Sequence, residues 1–176
     1  MPSGLVIGLT DPPLGDEGRA QALRAAVELA RRPLVRVVSS DLRRASQTAA
    51  VVAAPHRLEV ETTPALRELN FGAWEGRTLG DLWVDEPGAA AAWEKDVRVT
   101  PPSFGESLGE LEQRVARFWD SLHPLPQRGE VAIVAHGGSL AALRSLITGA
   151  PLGDCLAMRM EPGGMLRLDV GRSSDP

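Results

Sequence analysis

The sequence predicts an α/β fold, a three-layer arrangement in which a mostly parallel sheet carries helices on both faces. Three observations lead there. Apolar, β-branched stretches alternate along the chain with stretches at helical spacing, the order that builds parallel sheets. The run VAIVA (131 to 135) is apolar at every position, as a strand covered on both faces requires. No repeat, low-complexity tract or long linker interrupts the 176 residues, so residues 1–176 read as a single domain.

The elements follow in order. EGRAQALRAAVELARR (17 to 32) is an amphipathic helix that places Ala20, Leu23, Val27 and Ala30 on one face and stops at Pro33. LVRVVSS (34 to 40) is a strand, and Ser40 and Asp41 are good cap residues before the helical LRRASQTAAVVAA. RLEVET (57 to 62) alternates Leu58 and Val60 with charge, the pattern of a half-buried strand. SLGELEQRVARFWDSL (107 to 122) is a helix presenting Leu108, Leu111, Val115, Phe118 and Trp119 to a core. The buried strand 131 to 135 leads into the helical SLAALRSLI (139 to 147), and MLRLDV (165 to 170) is expected as the last strand.

Composition narrows the function classes. A net charge of -4 and a pI near 5.4 give no general basic field, so nucleic acid is not an expected partner and any anion site must be local. No apolar run approaches the roughly 20 residues of a membrane span, so no membrane association is expected. The single Cys155 excludes an intramolecular disulfide, and MPSGLVIG lacks the pattern of a secretory leader, which makes the cytoplasm the default location.

In open α/β sheets ligands bind beyond the carboxyl ends of the strands. Arg43 and Arg44 fall there after LVRVVSS, and His136 falls there after VAIVA. A histidine in such a place is either satisfied in the core or part of a site. Gly137 and Gly138 favour the site, since they admit close approach of a ligand and open a helix whose first N–H groups attract anions. Arg43 and Arg44 are each, on ordinary odds, solvated helix residues. Glu68 in LRELNFGAWEG is either a loop carboxylate or a general acid whose pKa is raised by an apolar wall of Phe71 and Trp74. His56 and His123 read as surface residues.

Rival chemistries fail on the sequence. GGSLA places Ser139 in a near match to a nucleophile elbow, but no histidine follows His136 to complete a triad. Three well-separated histidines and one cysteine do not space as metal ligands, and neither GxGxxG nor a P-loop is present. Neither a metal nor another cofactor is expected.

Five segments in order resemble motifs of the histidine phosphatase superfamily, the phosphoglycerate-mutase-like enzymes. GLVIGLTDPPLGDEGRAQA (4 to 22) is similar to its G-x-x-D-x-P-L-x-x-x-G-x-x-Q-A segment, and SSDLRRASQTA (39 to 49) to S-x-L-x-R-A-x-Q-T-A. LRELNFGAWEG (66 to 76) is similar to E-x-x-F-G-x-W-E-G, FGESLGELEQRV (104 to 115) to G-E-S followed by arginine, and VAIVAHGG (131 to 138) to the second catalytic histidine motif. The resemblance implies that Arg44 grips a transferred phosphoryl group, with Gly8 and Gly137 beside it in the phosphate site. It also implies that His136 stabilises the transition-state charge and that Glu68 protonates the leaving oxygen. Arg43 has no counterpart role.

Family members begin with a strand ending in Arg-His-Gly, whose histidine takes the phosphoryl group and which lies beside the strand carrying the second histidine. GLVIGLTDPPL starts almost at Met1, so that strand is expected to be absent and the flanking strand edges unpaired. Two accounts follow. One is an N-terminally shortened phosphomonoesterase working through a phosphohistidine, its activity impaired without that strand. The other is an inactive homologue that binds a phosphorylated ligand or a partner. A phosphoglycerate mutase is a further alternative, but the mutases carry a long basic insertion where residues 77 to 103 are short, hold Trp83 and Trp93 and contain no paired arginines. The resemblance therefore favours a phosphatase acting on a small phosphomonoester, most similar to the α-ribazole phosphatase branch. A homodimer remains an open arrangement.

Overall fold

A computed structural model describes residues 5–96, 98, 100, 103–126, 128–158 and 160–170. Three parallel strands, β1 (Leu34–Ser40), β2 (Val60–Thr63) and β3 (Glu130–Val134), form a sheet in the order β2-β1-β3. Helices α1 (Asp16–Leu29) and α2 (Arg43–Ala53) precede β2 in the chain. A helical pair, α3 (Leu79–Asp85) and α4 (Pro87–Lys95), and α5 (Leu108–Ser121) come before β3, with α6 (Gly137–Thr148) and α7 (Leu152–Ala157) after it.

The pleat of the strands divides the core into two layers. Val37, Ala132 and Val134 point to one face and meet Ala49 and Ala53 of α2. Val38, Val131 and Ile133 point to the other, where Phe118 and Leu122 at the end of α5 and Leu66 cover them. α5 buries Leu108, Leu111, Val115 and Phe118, as its spacing predicts, and packs on Ala141, Ala142 and Leu143 of α6. The expected three-layer α/β architecture is the observed one.

Four expectations need correction. α1 does not use Ala20, Leu23, Val27 and Ala30 as its inner face; it buries Ala22, Ala25 and Ala26, leaving Leu23 and Val27 at 59% and 76% exposed. Alanine faces let α1 lie close against α2 and against Leu34 and Val52, and that close packing outweighs the larger side chains one position away. MLRLDV forms no strand, and Met165, Leu166 and Val170 are exposed. A strand exists only through its ladder, and this segment has no ladder partner among the described residues, although the Arg167 guanidinium lies 3.7 Å from Glu130 of β3. The outer edge of β3 likewise has no strand partner among the described residues.

The third correction concerns the cap of α2. Leu42 is its N-cap residue, and Asp11, distant in sequence, accepts from the Arg43 N–H at 2.6 Å. Ser40 and Asp41 are engaged elsewhere, as described below. The strand expected over 57 to 62 starts later, at Val60, because Pro55 opens a short 3-10 turn that carries the end of α2 on to His56, and Arg57 then turns at φ 57°.

Candidate active site

The three parallel strands end on the same side, and each is followed by one of the expected functional residues. Arg44 is the second residue of α2 after β1, Glu68 lies in the loop after β2, and His136 caps α6 after β3. The sequence reading and the topology therefore converge on one end of the sheet.

His136 is 8% exposed, and its Nε2 lies 2.9 Å from the Oγ of Ser40, a fully buried residue at the end of β1. Burial, then the charges of Arg44 and Arg114, push its pKa down to about 3, against a smaller opposing pull from Asp41. The imidazole is accordingly neutral at physiological pH. Ser139 is no nucleophile here: its fully buried hydroxyl accepts from the His136 N–H and donates to the His136 carbonyl, pinning the first turn of α6. Gly137 occupies the first position of that helix, where the helix itself provides no acceptor for its N–H.

Glu68 is anchored directly to this turn. Its carboxylate accepts from the Gly138 N–H at 3.0 and 3.1 Å and from the Leu69 N–H at 2.9 Å. A Cβ on Gly138 would stand 2.4 Å from Glu68 Oε1, so only glycine allows this approach. The apolar wall expected around Glu68 is built elsewhere: Trp74 packs with Val6 and Leu82, and Phe71 and Trp93 lean on that cluster. Backbone N–H groups meet the carboxylate instead.

Arg44 is half-buried while Arg43 is exposed, the distinction the motif predicts. Burial lowers the pKa of Arg44, and the carboxylates of Glu68, Asp11 and Glu75 oppose that shift. Its NH1 donates to the Thr10 carbonyl at 2.8 Å and its NH2 to the Gly8 carbonyl at 2.7 Å. A guanidinium has five N–H donors, so three remain for an anion. Gly8 thus meets the site through its carbonyl, because its N–H donates to Glu75 at 3.1 Å. It must be glycine, since a Cβ there would fall 1.9 Å from the Leu69 carbonyl oxygen.

Several supporting residues do not stand out from the sequence. Arg114 donates to the carbonyls of Ala65 at 2.7 Å and Glu68 at 2.9 Å while held by Glu106, which fixes the Glu68 loop from behind. The G-E-S segment followed by arginine contains this pair, yet nothing in the sequence tells its purpose. Asp41 forms a two-bond pair with Arg67 at 2.7 and 2.6 Å, and that bond holds the Asp41 carboxyl below its usual range. Ser40 gives no signal beyond its place at a strand end. Of the remaining histidines, His123 is exposed as expected, whereas His56 is half-buried. Among the described residues no group of three or more His, Cys, Asp or Glu side chains is placed to hold a metal ion. No helix among them is long and apolar enough to cross a membrane.

Fold and site together bring Arg44, Glu68 and His136 to the carboxyl ends of one parallel sheet. The chain belongs to the histidine phosphatase superfamily (branch 1), whose sequence model matches residues 2–174. It is 36% identical over 168 residues to a glucosyl-3-phosphoglycerate phosphatase of Mycobacterium tuberculosis, covering 90% of this chain and 72% of that protein. A protein of Proteus mirabilis named for a phosphoglycerate mutase is 32% identical over 170 residues, covering 94% and 77% of the two chains. The crystal structure of the α-ribazole phosphatase from Shigella flexneri superposes with a TM-score of 0.83 at 32% identity, over 91% of this chain and 79% of that one.

Proposed function

We propose that the protein is a phosphomonoesterase for a small phosphorylated metabolite, working through a phosphohistidine intermediate. The observation that carries this reading is the convergence of Arg44, Glu68 and His136 at one end of three adjacent parallel strands, with Glu68 bonded to the glycine turn after His136. In the first step the phosphorus–oxygen bond of the substrate breaks as a phosphorus–nitrogen bond forms to a histidine, and Glu68, which enters the step as the protonated acid, gives that proton to the departing alkoxide and becomes the carboxylate. In the second, water attacks the phosphorus, Glu68 takes the water's proton, and phosphate leaves with the histidine restored. Arg44 spreads its remaining donors over the phosphoryl oxygens, and neutral His136 assists as a hydrogen-bond partner. No metal cation takes part in this scheme, in which Arg44 supplies the positive charge and His136 a hydrogen bond.

The nucleophilic histidine is carried, on this reading, by an Arg-His-Gly strand that lies upstream of Met1 and pairs with the outer edge of β3. The 176-residue chain alone is then nearly inactive, and the extended protein hydrolyses p-nitrophenyl phosphate without added metal. Equal rates in the two proteins would refute the assignment of the nucleophile. In the extended protein, Glu68→Gln slows an alkyl phosphate about 10² to 10⁴-fold and p-nitrophenyl phosphate much less, because the nitrophenolate leaves unprotonated. A loss independent of the leaving group removes Glu68 from the acid role.

A phosphatase is preferred to a mutase because the segment after Glu68 folds into α3 and α4 around Trp93 and Leu82 and presents no paired arginines for a second anionic group. The likeness to α-ribazole and glucosyl-3-phosphoglycerate phosphatases supports a sugar phosphate or nucleotide-like monoester as substrate. Comparing kcat/KM across a panel of phosphomonoesters selects between them.

A further inference from the structure

Glu75 gathers more hydrogen bonds than any role in the reaction described above requires. Its carboxylate accepts from the N–H groups of Gly8 at 3.1 Å, Leu9 at 2.8 Å and Thr10 at 3.1 Å, from the Thr10 hydroxyl at 2.6 Å and from the Phe71 N–H at 3.3 Å. Burial would raise its pKa, but the bonds from Thr10, Leu9 and Gly8 outweigh burial and hold it below the usual carboxylate range. Three successive N–H groups wrapped on one anion force the intervening peptide units into a fixed arc. The carbonyls of that arc have one shared recipient: Gly8 and Thr10 both accept from the Arg44 guanidinium, at 2.7 and 2.8 Å.

We propose that Glu75 is a positioning residue for Arg44. The carboxylate holds the Leu9 N–H on one side, so the Gly8 carbonyl, which shares that peptide plane, faces the other; Thr10 is held through its own N–H and hydroxyl, and the carbonyls of Gly8 and Thr10 together set the plane in which the guanidinium offers its three free donors. The relay runs from carboxylate to backbone to arginine, and it gives the W-E-G motif a purpose that packing of Trp74 does not. The inference rests on the phosphate-gripping role proposed for Arg44.

The relay predicts the opposite sign from simple electrostatics. Removing a negative charge near an anion site should by Coulomb's law tighten anion binding. If Glu75 acts through Arg44, Glu75→Gln weakens it instead, because an amide cannot accept all these donors and the arc relaxes. The experiment is a titration of the 176-residue chain with inorganic phosphate followed by ³¹P NMR, for the parent, Glu75→Gln, Arg44→Ala and the double variant. Glu75→Gln is expected to raise the phosphate Kd about tenfold, the scale on which residues orienting a ligand from behind act. In the Arg44→Ala background the same substitution should change Kd by less than about twofold, since residues acting through one hydrogen-bond network are coupled. Thr10→Val, which removes one donor from an exposed residue and leaves the core untouched, should weaken phosphate in the same direction and guards against misfolding of Glu75→Gln. Tighter or unchanged binding in Glu75→Gln, or a loss that simply adds to that of Arg44→Ala, overturns the relay. An unchanged Kd in Arg44→Ala refutes the phosphate-gripping role itself, a different failure.

Discussion

Gly138 determines where the Glu68 carboxylate can sit. With the missing Cβ position only 2.4 Å from Oε1, Gly138→Ala must expel the carboxylate from its two N–H bonds, whereas at Gly137 the nearest atom is 3.6 Å away and an alanine fits. In the extended enzyme Gly138→Ala should therefore lower kcat toward an alkyl phosphate far more than Gly137→Ala; equal effects would show that Glu68 does not work from this position. His136 makes a second prediction at the same scale. Its folded pKa of about 3 lies below the ordinary 6.5, so the unfolded chain takes up a proton that the folded one refuses. The stability contributed by this group is complete above pH 6.5 and is lost as pH falls toward 3, amounting to roughly 5 kcal/mol in the limit. Urea midpoints measured between pH 7 and 4 should fall more steeply for the parent than for His136→Gln, and parallel curves would contradict the neutral, buried imidazole.

Among the elements, α5 is the one the sequence specifies most completely. Its N-terminus is a reciprocal box in which the Ser107 hydroxyl accepts from the Glu110 N–H and the Glu110 carboxylate accepts from the Ser107 N–H at 2.8 Å. Ser107→Ala is expected to cost about 1 kcal/mol, read as a lower urea midpoint at unchanged slope. α5 is legible because periodicity and burial agree in it; β3, although the full burial expected of 131 to 135 is not reached and each of these residues is half-buried, is legible as a strand. The inner face of α1 is not, because the sequence marks which residues are apolar but not whether close packing of small ones will win, and Ala22, Ala25 and Ala26 win over Leu23 and Val27. MLRLDV misleads because an alternating pattern describes a strand only when a neighbour completes its ladder. At the site, the residue types chemistry demands, Arg44, Glu68 and His136, stand out. Ser40, Glu75 and Arg114 do not, since their importance comes from contacts 96, 67 and 46 positions away in the chain.

At the scale of the whole molecule the open edge of β3 is the dominant feature. A strand with apolar residues on both faces and, among the described residues, no strand partner along one side invites pairing with other chains. Adding the strand proposed to pair with this edge should raise the melting temperature, each kcal/mol gained appearing as about 2–4 °C, and should suppress self-association of the shorter chain. Calorimetry and sedimentation of the two proteins check this, and identical melting and association behaviour would mean that the edge is already satisfied. The contact between Ser40 and His136, which joins the ends of β1 and β3, also carries a consequence in time. It closes a loop of 96 positions, so the pocket cannot exist until one of the least local pairings in the chain has formed. During refolding, α2 and α5 can acquire helical signal from contacts near in sequence, while competence to bind phosphate must wait; the delay between the two signals, followed in one stopped-flow experiment, would measure how late the enzyme's chemistry arrives in its own folding.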